Sequence, residues 1–255
     1  MNPKNDPMGR AIADYHKHGK AGRLRVLSPV FEDDEMPLTT LFRTYNDMPE
    51  IERRAIDLAA GRTLDVGAAA GCHTLELQQR GIDVTAIDIS PLSVQTMKQR
   101  GVKNAIVQDF FTMRDVQFDT ILMLMNGIGI VGTLKRMPEF FRVLDQILAP
   151  GGQVLCDSSD ISYAFEDDMP HSDYYGEQHN DAPDALPHSD YYGEQQFTMH
   201  YKDTRGEPFT WLYIDPVTLK QQTARHGYTA EIVATGTHYD YLARITKQEK
   251  QNLES

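Results

Sequence analysis

Cysteine is almost missing from this 255-residue chain: there are two, Cys72 and Cys156, with no C-x-x-C pair and no zinc-type spacing. That excludes a disulfide scaffold and a cysteine zinc site, and makes a reducing cytoplasm the expected compartment. Basic residues are outnumbered, 25 Lys and Arg against 37 Asp and Glu, leaving a net charge of -12. A surface built to hold nucleic acid or an anionic membrane needs clustered cations. The one basic run, Lys17, Lys20, Arg23 and Arg25 beside His16 and His18, reads as a solvated N-terminal face. No apolar run reaches the length of a membrane span, and the N-terminus has no signal-peptide core. Hydrophobic and charged contents of 40% and 24% are ordinary for a globular domain, and the length allows one large domain or a domain with an appendage.

What is present centres on residues 62–90. Residues 63–66 form a short apolar, β-branched run that predicts a buried strand. Residues 67–71 are only glycine and alanine, so nothing bulky keeps a ligand from the backbone. A helix is predicted over 73–80, stopped by Gly81, and a second strand over 84–88 ends at Asp88. Strand, small-residue turn, helix and acid-ended strand make a nucleotide-site geometry: unpaired N–H groups at the helix start, and a carboxylate for a ribose diol. Glycine–alanine turns also serve plain tight packing. The dinucleotide fingerprint would put glycines at 67, 69 and 72; the chain has Gly67, Ala69 and Cys72, so one of three fits.

The stretch instead resembles the first motif of class I S-adenosylmethionine-dependent methyltransferases, acid-x-Gly-x-Gly-x-Gly, through Asp65, Gly67 and Gly71, with Ala69 in place of the middle glycine. A second match is Leu148, Pro150, Gly151 and Gly152, a turn in which proline stops the helix over 134–148 and the glycines permit positive φ before a strand over 153–157. The resemblance covers residues 49–157, and 215–246 in element order. It implies an α/β fold: a Rossmann-like, seven-stranded, mostly parallel sheet with helices on both faces and the last strand antiparallel. It also implies a cofactor, S-adenosyl-L-methionine. Asp65 would then orient the turn and the cofactor's amino-acid end, and Gly67, Ala68, Ala69 and Gly71 would admit it. Asp88 would take the ribose hydroxyls, with Ile89 beside it among the cofactor-binding residues, and Asp109 with Phe110 the adenine, although Asp109-Phe110 also reads as an ordinary strand-end turn. The apolar run over 118–125 reads as a strand covered on both faces, bringing Met125 and Asn126 to its carboxyl end, where open α/β sheets bind ligands. No Asn-Pro-Pro-Tyr follows, which points away from nucleic-acid bases and toward small molecules or proteins as acceptors.

The domain expectation is an N-terminal helical cap over 1–48, a methyltransferase-like domain over 49–246 and a polar tail over 247–255. In the cap, helices are predicted over 8–18 and 40–47 and a loop over 27–38. By the same resemblance, Tyr15, Arg43 and Tyr45 line a pocket or serve packing. Residues 158–214 are an insertion, acidic in its first part and carrying a duplicated Pro-His-Ser-Asp-Tyr-Tyr-Gly-Glu-Gln at 170–178 and 187–195. His171 and His188 match no metal-ligand spacing, so no metal is expected. A hairpin is predicted over 196–214, where His200, Tyr201, Trp211 and Tyr213 either bind substrate or form a half-buried face. The expected activity is methyl transfer to a small-molecule acceptor. A non-catalytic module on the same fold and a nicotinamide-dependent oxidoreductase are the rivals.

Overall fold

The computed structural model of the chain describes residues 5–165 and 191–248. The first repeat copy, His171, His188 and residues 249–255 of the tail lie outside the described residues. Seven strands form the main sheet: β3 (Thr63–Val66), β4 (Val84–Asp88), β5 (Ala105–Val107), β6 (Phe118–Met123), β7 (Leu148–Ser159), β11 (Tyr228–Thr235) and β12 (Asp240–Lys247), in the order β11-β12-β7-β6-β3-β4-β5. Strands β3 to β7 run parallel, and β12 is antiparallel to both β7 and β11, as the Rossmann-like expectation requires.

Strand β6 shows why residues 121–123 are apolar without a break, while Asp119 near its start stays exposed. Ile121 and Met123 join the core beneath α5 (Met137–Ile147) and α6 (Pro216–Arg225), while Leu122 joins the core beneath α2 (Glu50–Leu58) and α3 (Cys72–Gln79). Alternate side chains leave opposite faces, so helices on both faces require apolar residues at every position. Phe140, Leu144 and Ile147 of α5 are fully buried, each gaining about 1.5–3 kcal/mol over an exposed position. Helix starts follow their signals. Ser90 accepts from Ser93 N at 3.0 Å ahead of α4 (Pro91–Gln99), and Asp215 accepts from Val217 N and Thr218 N ahead of α6.

The N-terminal segment and the insertion are not separate appendages. The segment predicted as loop over 27–38 instead begins at the end of a strand, β1 (Leu24–Leu27), and contains another, β2 (Asp34–Glu35), and the insertion supplies β8 (Glu194–Tyr201), β9 (Thr204–Arg205) and β10 (Phe209–Leu212). Together they form a second sheet of order β10-β8-β1-β2, with β9 paired to β8. The predicted hairpin is present, but its first strand also pairs with β1, Leu24 opposite Tyr201 and Val26 opposite Met199. Arg23 and Arg25 of the basic run pair with Glu35 and Asp33, all at exposed positions where such pairs contribute little.

Helix α1 (Pro7–His18) docks against the start of α4, immediately behind Asp88. Buried Asp6 caps α1 through Gly9 N at 2.7 Å and accepts from Ser90 Oγ at 2.5 Å. A Cβ on Gly9 would lie 2.3 Å from both Asp6 Oδ2 and Ser90 Oγ. Gly9→Ala is therefore expected to lose about 1–3 kcal/mol through overpacking, read as a lower midpoint in urea unfolding.

Candidate functional site

Strands β3, β4, β6 and β7 bring their carboxyl ends to one edge of the main sheet, and the predicted turn closes the β3 end. Gly67 N and Ala68 N both donate to Ile87 O, at 2.9 and 3.1 Å. The backbone then passes through left-handed conformations at Gly67 (φ 69°), Ala69 (φ 50°) and Gly71 (φ 81°). At Gly67 a Cβ would meet nothing within 4 Å, so the turn has open space on that side. At Gly71 it would press on Val102 and Met97 at 3.0 and 3.1 Å, so glycine is required by both conformation and packing.

Ala69, where the resemblance has glycine, carries a left-handed strain of about 1–2 kcal/mol. Asp88 holds it there: Ala69 N donates to Asp88 Oδ2 at 3.0 Å, and Ser90 N donates to Asp88 Oδ1 at 2.8 Å. Acid and turn are thus one unit. Ala69→Gly is expected to raise stability by about 1 kcal/mol in urea unfolding, since it removes the strain and leaves the N–H in place.

Burial pushes the Asp88 carboxyl up to about 6, despite the two N–H donors that oppose the shift. Asp65 is fully enclosed and ties β3 to α3 by accepting from Thr74 Oγ1 at 2.5 Å; burial raises its carboxyl as well. Beside it stands a cluster of charges. Burial would push the Glu52 carboxyl up, but His73, at 2.8 Å, and Arg43 together hold it below its ordinary value. Burial would lower the His73 imidazole, but Cys72, Glu52 and Asp65 keep it well above the usual value. Arg43 Nε is a buried donor with no partner among the described residues.

At the end of β6 the chain makes a second strained turn, with Met125 at φ 67° and Asn126 at φ 54°. Buried Asp157 of β7 holds it, accepting from Met125 N at 3.0 Å and Gly127 N at 2.8 Å; burial pushes this carboxyl up to about 6. Ser159 Oγ donates to Asn126 Oδ1 at 3.0 Å, and Trp211 Nε1 donates to Asn126 O at 3.1 Å. Met125 packs in one cluster with Ala69, Ala70, Tyr15 and Phe42, so the two strained turns face each other. Strained backbone held by a dedicated carboxylate is characteristic of ligand sites.

Solved structures include a close likeness to this arrangement. An S-adenosylmethionine-dependent methyltransferase from Bacteroides fragilis, crystallised with S-adenosyl-L-homocysteine, is 50% identical and covers 97% of each chain, with a TM-score of 0.86. The chain belongs to the S-adenosylmethionine-dependent methyltransferases. The methyltransferase domain family matches residues 64–156. Curated relatives include the magnesium-protoporphyrin O-methyltransferase of Rhodobacter capsulatus, 32% identical over 103 residues, covering 38% of this chain and 44% of that protein. Another is the ubiquinone biosynthesis O-methyltransferase of Xanthomonas oryzae pv. oryzae, 26% identical over 110 residues, covering 39% and 43%. The chain matches less than half the length of these curated relatives.

In this methyltransferase the predicted residues divide. Asp65, Gly67, Ala68, Ala69, Gly71, Asp88, Met125 and Asn126 gather at the carboxyl edge, with Ile89 beside them as an exposed apolar side chain. Tyr15 packs against Phe42, ring centroids 4.7 Å apart and tilted by 39°, in the cluster that holds Ala69 of the same turn. Asp109 is exposed and caps its own turn through Phe111 N at 2.9 Å.

Three expectations need correction. Phe110 does not offer a ring to a ligand: it is 3% exposed and packs against Phe111 and Phe140, because the short 3-10 turn at Phe110–Thr112 rotates it into the core. Tyr45 faces away from the edge, donating to Asp57 at 2.9 Å beneath the Arg80 guanidinium. His200 pairs with Arg25 and Arg205, on the opposite face of the second sheet from Trp211. Tyr213 is half-buried beside Phe197, and burial raises its phenol.

Glu52, His73 and Asp157 escaped the sequence reading. Asp157 had a usable signal, an acid closing the apolar run Val154-Leu155-Cys156 at a strand's carboxyl end. Among the described residues no helix is long and apolar enough to cross a membrane.

Proposed function

We propose that this methyltransferase transfers a methyl group to a small-molecule acceptor by in-line displacement, with the cofactor lying along the carboxyl edge of β3 and β4. The observation that carries the reading is the Asp88 carboxylate bonded to Ala69 N above an open Gly67. Acid and glycine–alanine turn form a single cradle with room for a ligand. Each carboxylate oxygen of Asp88 spends one lone-pair site on a backbone N–H, which leaves acceptor capacity for both hydroxyls of a ribose. Ile89, 46% exposed, supplies an apolar surface for the adenine, and Asp109 a polar edge. We assign the amino-acid end to Met125 and Asn126, with Asp65 orienting the turn from within through Thr74 and the unpaired Nε–H of Arg43 as a donor toward the cofactor's carboxylate.

The bound cofactor supplies an activated methyl group on its sulfonium. The chain's task is then positioning: an acceptor lone pair must lie in line with the breaking C–S bond, which can supply much of the rate without a dedicated acid or base. A small-molecule acceptor is supported by the two curated relatives, both named as O-methyltransferases of small molecules.

Calorimetric titration with S-adenosylmethionine, S-adenosylhomocysteine and NAD tests the cofactor assignment. The expected result is saturable binding of both adenosyl ligands and none of NAD. Silence from both on folded, cofactor-free protein overturns the reading, and NAD binding in their place would favour hydride transfer.

A further inference from the structure

The cofactor assignment leaves unused a set of aromatic rings on one face of the second sheet. Register and strand alternation put Val26, Phe197, Met199, Phe209 and Trp211 on that face, and Tyr213 continues it past the end of β10. At one end of the face, Leu24 and Tyr201 are sealed in a cluster with Ala11 and Ile12 of α1. The rings at the other end are only half-buried. They are splayed rather than stacked: Phe197 and Phe209 lie 6.1 Å apart at 40°, Phe209 and Trp211 6.0 Å apart at 83°, and Phe197 and Tyr213 6.2 Å apart at 65°.

This wall is continuous with the site. The Trp211 indole bonds to Asn126 O and lies against Gly129, where a Cβ would come within 1.9 Å of Nε1. The cationic side chains of the strands, Arg25 and Arg205 with His200 between them, lie on the other face. Asp34, opposite Val26 in the edge strand β2, shares the aromatic face, and what reaches the strained turn at Asn126 from the second sheet is the Trp211 ring.

We propose that this wall receives the methyl acceptor, and that the acceptor is a planar aromatic compound; the proposal rests on the methyltransferase reading above. Rings set at 40° to 83° to one another can meet a flat ligand edge-on with one and face-on with the next. Each such contact adds to what buried area alone provides, whereas a saturated ligand gains only the area. Phe, Tyr and Trp also lose little conformational freedom when they close on a ligand, because each turns about only two side-chain bonds.

The test compares 2-naphthol with decahydro-2-naphthol, which has the same carbon skeleton and hydroxyl but is not flat. Affinities are measured by saturation-transfer NMR titration on the full chain, free and loaded with S-adenosylhomocysteine. By area alone the saturated compound would bind as well or better. The expected result is about tenfold tighter binding of 2-naphthol. In Phe197→Leu and Phe209→Leu the preference shrinks several-fold while S-adenosylhomocysteine affinity stays within about twofold, which also reports that the variants are folded. Equal affinity for the two compounds on wild-type protein overturns the proposal whatever the variants do. Loss of S-adenosylhomocysteine binding in wild-type protein is a different failure, that of the cofactor assignment, and is visible before either naphthol is added.

Discussion

Replacing Asp88 by alanine is expected to weaken S-adenosylhomocysteine binding by about a hundredfold or more, the largest loss from any single change at the site. Hydrogen bonds to a charged group contribute about 1.5–3 kcal/mol each, so losing two to a ribose diol removes at least about 3 kcal/mol. The same change frees Ala69 N and Ser90 N, which loosens the strained turn and adds to the loss. Calorimetry on native and mutant protein measures it, and an affinity change under about fivefold would remove Asp88 from the cofactor's ribose. The pH dependence is a second, independent signature. The Asp88 carboxyl sits at about 6, so affinity should fall as pH drops below that value and the acceptor oxygens gain a proton. Stability of the free protein responds with the opposite sign. A carboxyl raised by folding favours the native state most below its ordinary value of 3.8, and that contribution is lost as pH climbs through 6. Between pH 4 and 7 this group therefore makes cofactor affinity rise while its own share of stability falls. A general acid-induced loosening would move both together.

Asp88 was legible because its signals are local. An apolar run fixes a strand, an acid ends it, and Ser90-Pro91 opens the next helix within two residues. The parallel sheet was legible for a similar reason: unbroken apolar runs such as residues 121–125, set between turn signals, suit a strand covered on both faces. The second sheet was not. Its β1 is four residues long, ends two residues before Pro29, and pairs with β8 some 175 residues further on, Leu24 with Tyr201. Nothing in so short a segment distinguishes a strand from a loop until the partner is in place, so tertiary pairing decides it. The Phe110 expectation failed on a rotation of one residue. A strand that ends in a 3-10 turn reverses which side of the chain meets the core, and Phe110-Phe111 reads the same in either phase. The charge cluster escaped because Arg43, Glu52 and His73 lie on three elements, each with an unremarkable polar residue. Only the packing of α2 against α3 joins them.

That cluster carries the second large effect. Glu52 is 4% exposed and stands between two cationic partners, the Arg43 guanidinium and a His73 imidazole that holds its proton. Glu52→Gln leaves both buried charges without their counter-ion, and removing one member of a buried pair costs about 3–5 kcal/mol. The loss is measured by urea unfolding at pH 7. Its pH profile identifies the cause. His73 is raised in the native state, so its contribution is complete below about 6.5 and lost as pH rises through the native value. In Glu52→Gln that alkaline loss should begin at lower pH, since one of the groups that retain the proton has gone. Glu52 itself is lowered, so its own contribution is complete above 4.5 and lost as pH falls through the native value. The native protein should therefore lose stability from this cluster at both ends of the pH range, and the variant chiefly at the alkaline one. A Glu52→Gln protein that unfolds with native stability would show that water already screens these charges. The unpaired Arg43 Nε–H would then be solvated rather than held in reserve for a carboxylate, and the assignment of the cofactor's amino-acid end would rest on Met125 and Asn126 alone.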